Sequence, residues 1–129
     1  MSVGRIITVV LEVADLAAST IFYRDCLGLP LHTGGDNRAG DDRWISGDHA
    51  AISWSEGAFF HFSLYQAKSE VTRSVQIGFP TDDLAAAHAG LVRAGVVVIH
   101  PPRPEPWGAT ARYRDPDGNV VSLTQAVPD

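Results

Sequence analysis

The sequence has little cysteine, little positive charge and no long apolar run. A single cysteine, Cys26, among 129 residues rules out an internal disulfide and any cysteine cluster for zinc. It falls near the end of an expected helix, where a buried, inert thiol is the reading. Ten lysines and arginines stand against fifteen aspartates and glutamates, a formal net charge of −5. With no basic face to neutralise phosphates, nucleic acid is excluded as a partner. No apolar run nears the ~20 residues that span a bilayer, so no membrane partner is expected. The opening stretch, MSVGRIITVVLEVADL, holds an acidic residue and no small-residue cleavage site. It reads as a first strand and not as a signal peptide, and the expected location is cytoplasmic. Hydrophobic residues at 45% and charged residues at 19% describe one folded domain over residues 1–129.

What is there is said twice. Residues 8–31, TVVLEVADLAASTIFYRDCLGLPL, match residues 76–99, QIGFPTDDLAAAHAGLVRAGVVVI. In each, an alternating strand leads to a capping aspartate, Asp15 or Asp83, whose side chain accepts from free helix N–H groups. Apolar stripes follow: Leu16, Phe22, Tyr23 and Cys26 in the first copy, Leu84, His88, Leu91 and Val92 in the second. Gly28 and Gly95 suit left-handed helix ends. New strands are expected from Leu29 and from Val96. The endings match as well, GAFFHFSLYQA at 57–67 against GNVVSLTQA at 118–126. Asp115-Pro116-Asp117-Gly118 has type I turn chemistry. Further strands are expected at Arg43 to Ser46, His49 to Trp54 and Ala109 to Arg114. The fold class is therefore α+β, two tandem βαβββ modules at about 5–67 and 74–127. Each is too small to bury a secure core alone. Curved mixed sheets around a shared cleft, with helices outside, are the expected solution.

The stretches VLEVADLAASTIFYRDCLGL, IGFPTDDLAAAHAGLVRAGV and RDPDGNVVSL resemble the vicinal oxygen chelate family, which includes glyoxalase I, extradiol dioxygenases and bleomycin-resistance proteins. Fold resemblance does not fix chemistry, because function is carried by the site. The resemblance implies a divalent metal held by residues from four strands, at positions that fall here on Thr8, His61, Gln76 and Ser122. The repeat points to the same four. Thr8 stands seven residues before Asp15, as Gln76 stands seven before Asp83; Ser122 lies four after Gly118, as His61 lies four after Gly57. A catalytic metal needs about three good protein ligands and an open position. His61 and Gln76 can donate, whereas Thr8 and Ser122 are weak neutral hydroxyls. Glu12 shares the face of Thr8 but sits roughly 13 Å along the strand, too far to replace it. No cofactor is expected, and a divalent metal on His61 and Gln76 is the alternative.

Without the metal, the cleft is read as a small-molecule site with aromatic walls and a few placed polar groups. Trp44, Trp54, Phe59 and Trp107 are the candidate walls, Thr8, His61, Gln76 and Ser122 the floor, and Glu12 the mouth. Trp107 follows a proline-rich run at 101–106 and resembles the ligand-facing segment of the bleomycin-resistance branch. Arg112 or Arg114 is expected to face the cleft. His100 is read as a strand-end residue, His88 as a helix-face residue, and His32 and His49 as exposed in turns. No serine has a nucleophile-elbow setting. The resemblance implies a homodimer. The expected function is binding and sequestration of a drug or metabolite, as in antibiotic resistance; the alternative is a divergent metal-dependent lyase, isomerase or dioxygenase.

Overall fold

The computed structural model describes residues 2–33, 49–54 and 60–127. It consists of two compact units, Met1–Val71 and Thr72–Asp129, each a βαβββ module. In the first unit β1 (Thr8–Val13), β2 (His32–Thr33), β3 (His49–Trp54) and β4 (Phe60–Gln66) form a sheet in the order β1-β4-β3-β2. β1 runs parallel to β4 and the other neighbours are antiparallel. In the second unit β5 (Gln76–Pro80), β6 (Val97–Glu105), β7 (Gly108–Arg114) and β8 (Val120–Ala126) form a sheet in the order β5-β8-β7-β6. The strand expected at Arg43 to Ser46 lies outside the described residues.

Strand alternation gives each sheet one apolar face for its helix. Leu11 and Val13 of β1, Ala50 and Ile52 of β3, and Phe62 and Leu64 of β4 are buried. Against them packs α1 (Leu16–Thr20), continued by a π-helical stretch at Ile21–Cys26. There the Leu27 N–H donates to the Phe22 carbonyl, five residues back. Phe22 and Tyr23 are both buried, their rings 4.9 Å apart, and Tyr23 reaches Phe62 at 5.5 Å. Burying side chains of this size contributes about 1.5–3 kcal/mol each. Cys26 is half-buried. In the second unit α2 (Leu84–Arg93) packs Leu84 and Leu91 onto the face carrying Tyr113, Val121 and Leu123.

The helix punctuation is as expected. Asp15 accepts from the Ala18 N–H at 3.2 Å and Asp83 from the Ala86 N–H at 3.0 Å. Gly28 and Gly95 hold φ of 85° and 79°, a region that favours glycine. Three expectations are corrected. β6 runs on through Pro101, Pro102 and Pro104, past the strand end expected at His100. As an edge strand with two register shifts, it tolerates the missing N–H donors. Residues Leu29 to Leu31 precede β2 and are not part of it. Val92 of the apolar stripe is 51% exposed. No helix among the described residues is long and apolar enough to cross a membrane.

Candidate functional site

The faces that carry polar side chains are those opposite the helices. In the first unit the alternation that buries Leu11 and Phe62 sends Thr8, Val10 and Glu12 to the other face. His61, Ser63 and Tyr65 of β4 and His49, Ala51 and Ser53 of β3 join them there. Thr8 stands directly opposite His61. His61 Nδ1 lies 2.6 Å from the Ser53 hydroxyl. Burial pushes the His61 imidazole below its ordinary value, and the charge of His49 pushes the same way. Neutral imidazole is thus the favoured form, the one a metal or an acidic hydrogen requires.

His49 corrects the reading of a surface residue. It is buried on β3, with its ring stacked on Tyr65 at 4.4 Å and 12°. His32 is likewise half-buried, in β2. Both sit on strands: His49 opens the strand expected at His49 to Trp54, and His32 lies in β2, just after the Leu29 to Leu31 stretch where a strand was expected to begin. Glu12 is exposed and lines a depression of about 380 Å³ with Tyr65, Gln66, Lys68, Ser69 and Glu70. Trp54 does not share this face: it pairs with Phe60, on the side of Ile52 and Phe62, with the two rings 6.2 Å apart. The two-residue period of the strand separates it from His61. Trp44 and Phe59 lie outside the described residues.

In the second unit Gln76, Gly78 and Pro80 of β5 share a face with Ser122 and Thr124 of β8 and with Thr110, Arg112 and Arg114 of β7. Gln76 is exposed, Ser122 is buried and Arg112 is half-buried. The two threonine hydroxyls lie 3.3 Å apart. Gly78 is opposite Ser122, and a Cβ at residue 78 would come within 2.9 Å of the Ser122 hydroxyl. Trp107, at the tip of the β6–β7 hairpin, is 58% exposed. His100 is not at a strand end but within β6, opposite Arg112. His88 bonds through Nδ1 to the Tyr113 hydroxyl at 2.8 Å, between α2 and β7.

The strand registers also correct the repeat. Val10 faces Ser63 as Gly78 faces Ser122, while Thr8 faces His61 as Gln76 faces Val120. The counterpart of Ser122 is therefore Ser63, and His61 corresponds to Val120. Counting from the glycines misaligns the copies because Gly57 stands nine residues before Gln66, and Gly118 only seven before Gln125. The signal that gives the right register was present in the shared endings SLYQA and SLTQA.

On this register the four equivalent positions hold Thr8, Ser63, Gln76 and Ser122, three hydroxyls and an amide. Neither Thr8 and Ser63 in the first unit nor Gln76 and Ser122 in the second offers an anionic oxygen or an imidazole, the donors a divalent metal favours. His61 is a competent donor, but its opposite neighbour Thr8 adds only a hydroxyl. Among the described residues no group of three or more His, Cys, Asp and Glu is placed to hold a metal ion.

The model of the Glyoxalase/Bleomycin resistance protein/Dioxygenase superfamily matches residues 5–123. A probable lactoylglutathione lyase of Vibrio parahaemolyticus serotype O3:K6 is 30% identical, covering 97% of this chain and 93% of its own. The crystal structure of TnmS3, an antibiotic binding protein from Streptomyces sp. CB03234, is 25% identical with a TM-score of 0.69, covering 98% and 99%. A glyoxalase/bleomycin resistance protein from the same Streptomyces is 26% identical with a TM-score of 0.66, covering 94% and 100%.

Proposed function

Because the chain belongs to the Glyoxalase/Bleomycin resistance protein/Dioxygenase superfamily, we propose that it is one of the superfamily's metal-independent small-molecule binders, sequestering a drug-like or metabolite ligand. One observation carries this reading. The positions marked by the resemblance, once the strand register replaces His61 by Ser63, hold Thr8 and Ser63 in the first unit and Gln76 and Ser122 in the second, groups that exchange hydrogen bonds with an organic ligand but hold a metal poorly. The likeness to TnmS3, an antibiotic binding protein, supports the same class of function. Thr8, Glu12 and His61 are the proposed polar contacts of the first unit, and Gln76, Ser122 and Arg112 those of the second, which also carries Trp107 as an exposed aromatic surface. The chain acts as a homodimer in this reading, which light scattering on the purified protein tests.

The direct test is a panel of neutral, anionic and cationic aromatic compounds followed by tryptophan fluorescence and melting temperature. Binding that is unchanged by a chelator and weakened by Gln76→Ala or Ser122→Ala supports the proposal. A panel that moves neither signal contradicts it.

A second reading is a divergent metal-dependent lyase, supported by the neutral imidazole of His61 and by the likeness to the probable lactoylglutathione lyase. It requires His61→Ala to abolish metal uptake and turnover together.

A further inference from the structure

One row of side chains crosses the second sheet from edge to edge. His100 of β6 is opposite Arg112 of β7, Arg112 is opposite Ser122 of β8, and Ser122 is opposite Gly78 of β5. Side chains directly opposite each other on neighbouring strands project to the same face about 4.5–5.5 Å apart. The row therefore sets an imidazole, a guanidinium, a hydroxyl and bare backbone side by side, on the face away from α2.

Two atoms in this row are buried and have no hydrogen-bond partner among the described residues: Arg112 Nε and His100 Nε2. Their chemistries differ. The Arg112 Nε–H is a donor without an acceptor. His100 Nδ1 lies 2.9 Å from the Pro101 carbonyl oxygen, which can only accept, so the ring proton sits on Nδ1. Nε2 of the neutral ring is then an acceptor without a donor. Burying polar groups unpaired is costly, and a native protein leaves few of them.

Charge on the sheet is one-sided. β5 to β8 carry Arg103, Arg112, Arg114 and a single carboxylate, Glu105. Glu105 is taken by Arg103 at 3.1 Å. Arg114 donates to the Gly118 carbonyl at 2.7 Å. Arg112 alone of the three makes no hydrogen bond or ion pair among the described residues. An uncommitted guanidinium in a chain of net charge −5 is a local feature, set against the overall field.

We propose that this row is an acid-binding subsite, and that the ligand is a small hydroxy acid. It rests on the reading of the chain as a small-molecule binder and specifies the ligand's chemistry. The carboxylate accepts from the Arg112 guanidinium and the Ser122 hydroxyl, and a neighbouring hydroxyl of the ligand donates to His100 Nε2. Gly78, with no side chain beside Ser122, leaves room for the carboxylate to approach. Every orphaned group in the row gains a partner of the right polarity. A neutral amide in place of the acid loses the charge-assisted bonds.

The test uses four matched probes with the full-length protein: mandelate, phenylacetate, which lacks the hydroxyl, mandelamide, which lacks the charge, and the cation 2-amino-1-phenylethanol. Affinity is measured by calorimetry, and the site is read from the Arg112 side-chain Nε–H resonance in nitrogen-15 spectra. Mandelate should bind tightest, shift that resonance, and weaken about 30-fold in Arg112→Met, as expected for a charged hydrogen bond. Phenylacetate should bind about 5-fold more weakly than mandelate, in line with one lost neutral hydrogen bond. Arg112→Lys, which keeps the charge, should fall between wild type and Arg112→Met. Mandelamide or the cation binding as tightly as mandelate overturns the acid subsite and leaves the binder reading intact. Mandelate binding without any shift at Arg112 overturns it too. Silence from all four probes also overturns it, and the broader compound panel then decides the binder reading separately.

Discussion

Gln66 and Gln125 occupy the same place in the two units. The Gln66 side-chain oxygen accepts the Leu16 N–H at 2.9 Å, and that of Gln125 accepts the Leu84 N–H at 2.8 Å. Each ties the last turn of a central strand to the first turn of its helix, satisfying a helix N–H that has no partner within the helix. Gln66 does more, donating to the Val13 and Ala14 carbonyls at 3.3 and 2.9 Å. These two glutamines, more than the glycines, fix how the copies correspond.

Gln125→Ala should therefore cost about 1–2 kcal/mol of stability and Gln66→Ala about 2–3 kcal/mol, because the second substitution leaves more backbone groups unpaired. Urea unfolding of both variants checks the order. Equal costs would mean that the extra Gln66 bonds contribute nothing.

A methyl group at residue 78 should be tolerated only when Ser122 gives way. Gly78→Ala places its Cβ 2.9 Å from the Ser122 hydroxyl and should destabilise by about 1–3 kcal/mol. Adding Ser122→Ala should recover much of that loss, a coupling that a double-mutant cycle measures. Gly108→Ala has no such rescue. At φ 147°, its Cβ would overlap the Gln125 carbonyl oxygen, and the backbone cannot yield.

The His61 imidazole should titrate below its ordinary value of 6.5. The folded state favours the neutral ring, so its contribution to stability is present above 6.5 and is lost as pH falls through the lower folded value. Carbon-13 NMR of the ring measures the midpoint. His49→Gln should move it part of the way back, since burial is the larger cause and the His49 charge the smaller. A midpoint at the ordinary value in the wild type would remove the neutral-imidazole argument.

Tyr113 is fully buried, with its hydroxyl on His88. Burial raises its phenol above the ordinary 10.0, so stability is full below that pH and declines as pH rises toward the folded value. Tyr113→Phe should cost about 1 kcal/mol at neutral pH and abolish this alkaline decline. Melting curves between neutral and alkaline pH test both.

Much of the fold was legible because it is written in local chemistry. Asp15, Asp83, Gly28 and Gly95 mark helix ends that backbone geometry requires, and they appear twice. What the sequence hid was non-local. Register depends on which residues pair across strands, and the glycine count misplaced it by two residues at His61. His49 and Trp54 depend on the face a strand presents, which alternation gives only once the register is known. The unpartnered atoms His100 Nε2 and Arg112 Nε were invisible, because the proline run obscured that the strand continues past His100 and pairs it with Arg112. Arg112 and Ser122 were both named as cleft residues, but not as neighbours, and His100 was not linked to them.

The central claim is that the chain binds an organic ligand without a metal. Calorimetric titration of chelator-treated, untagged protein with Ni²⁺, Zn²⁺, Mn²⁺ and Fe²⁺ tests it most directly. The account predicts no specific binding at sub-micromolar concentration, and affinity for an organic probe that is the same with and without chelator. Sub-micromolar binding of one ion, lost in His61→Ala, would contradict it.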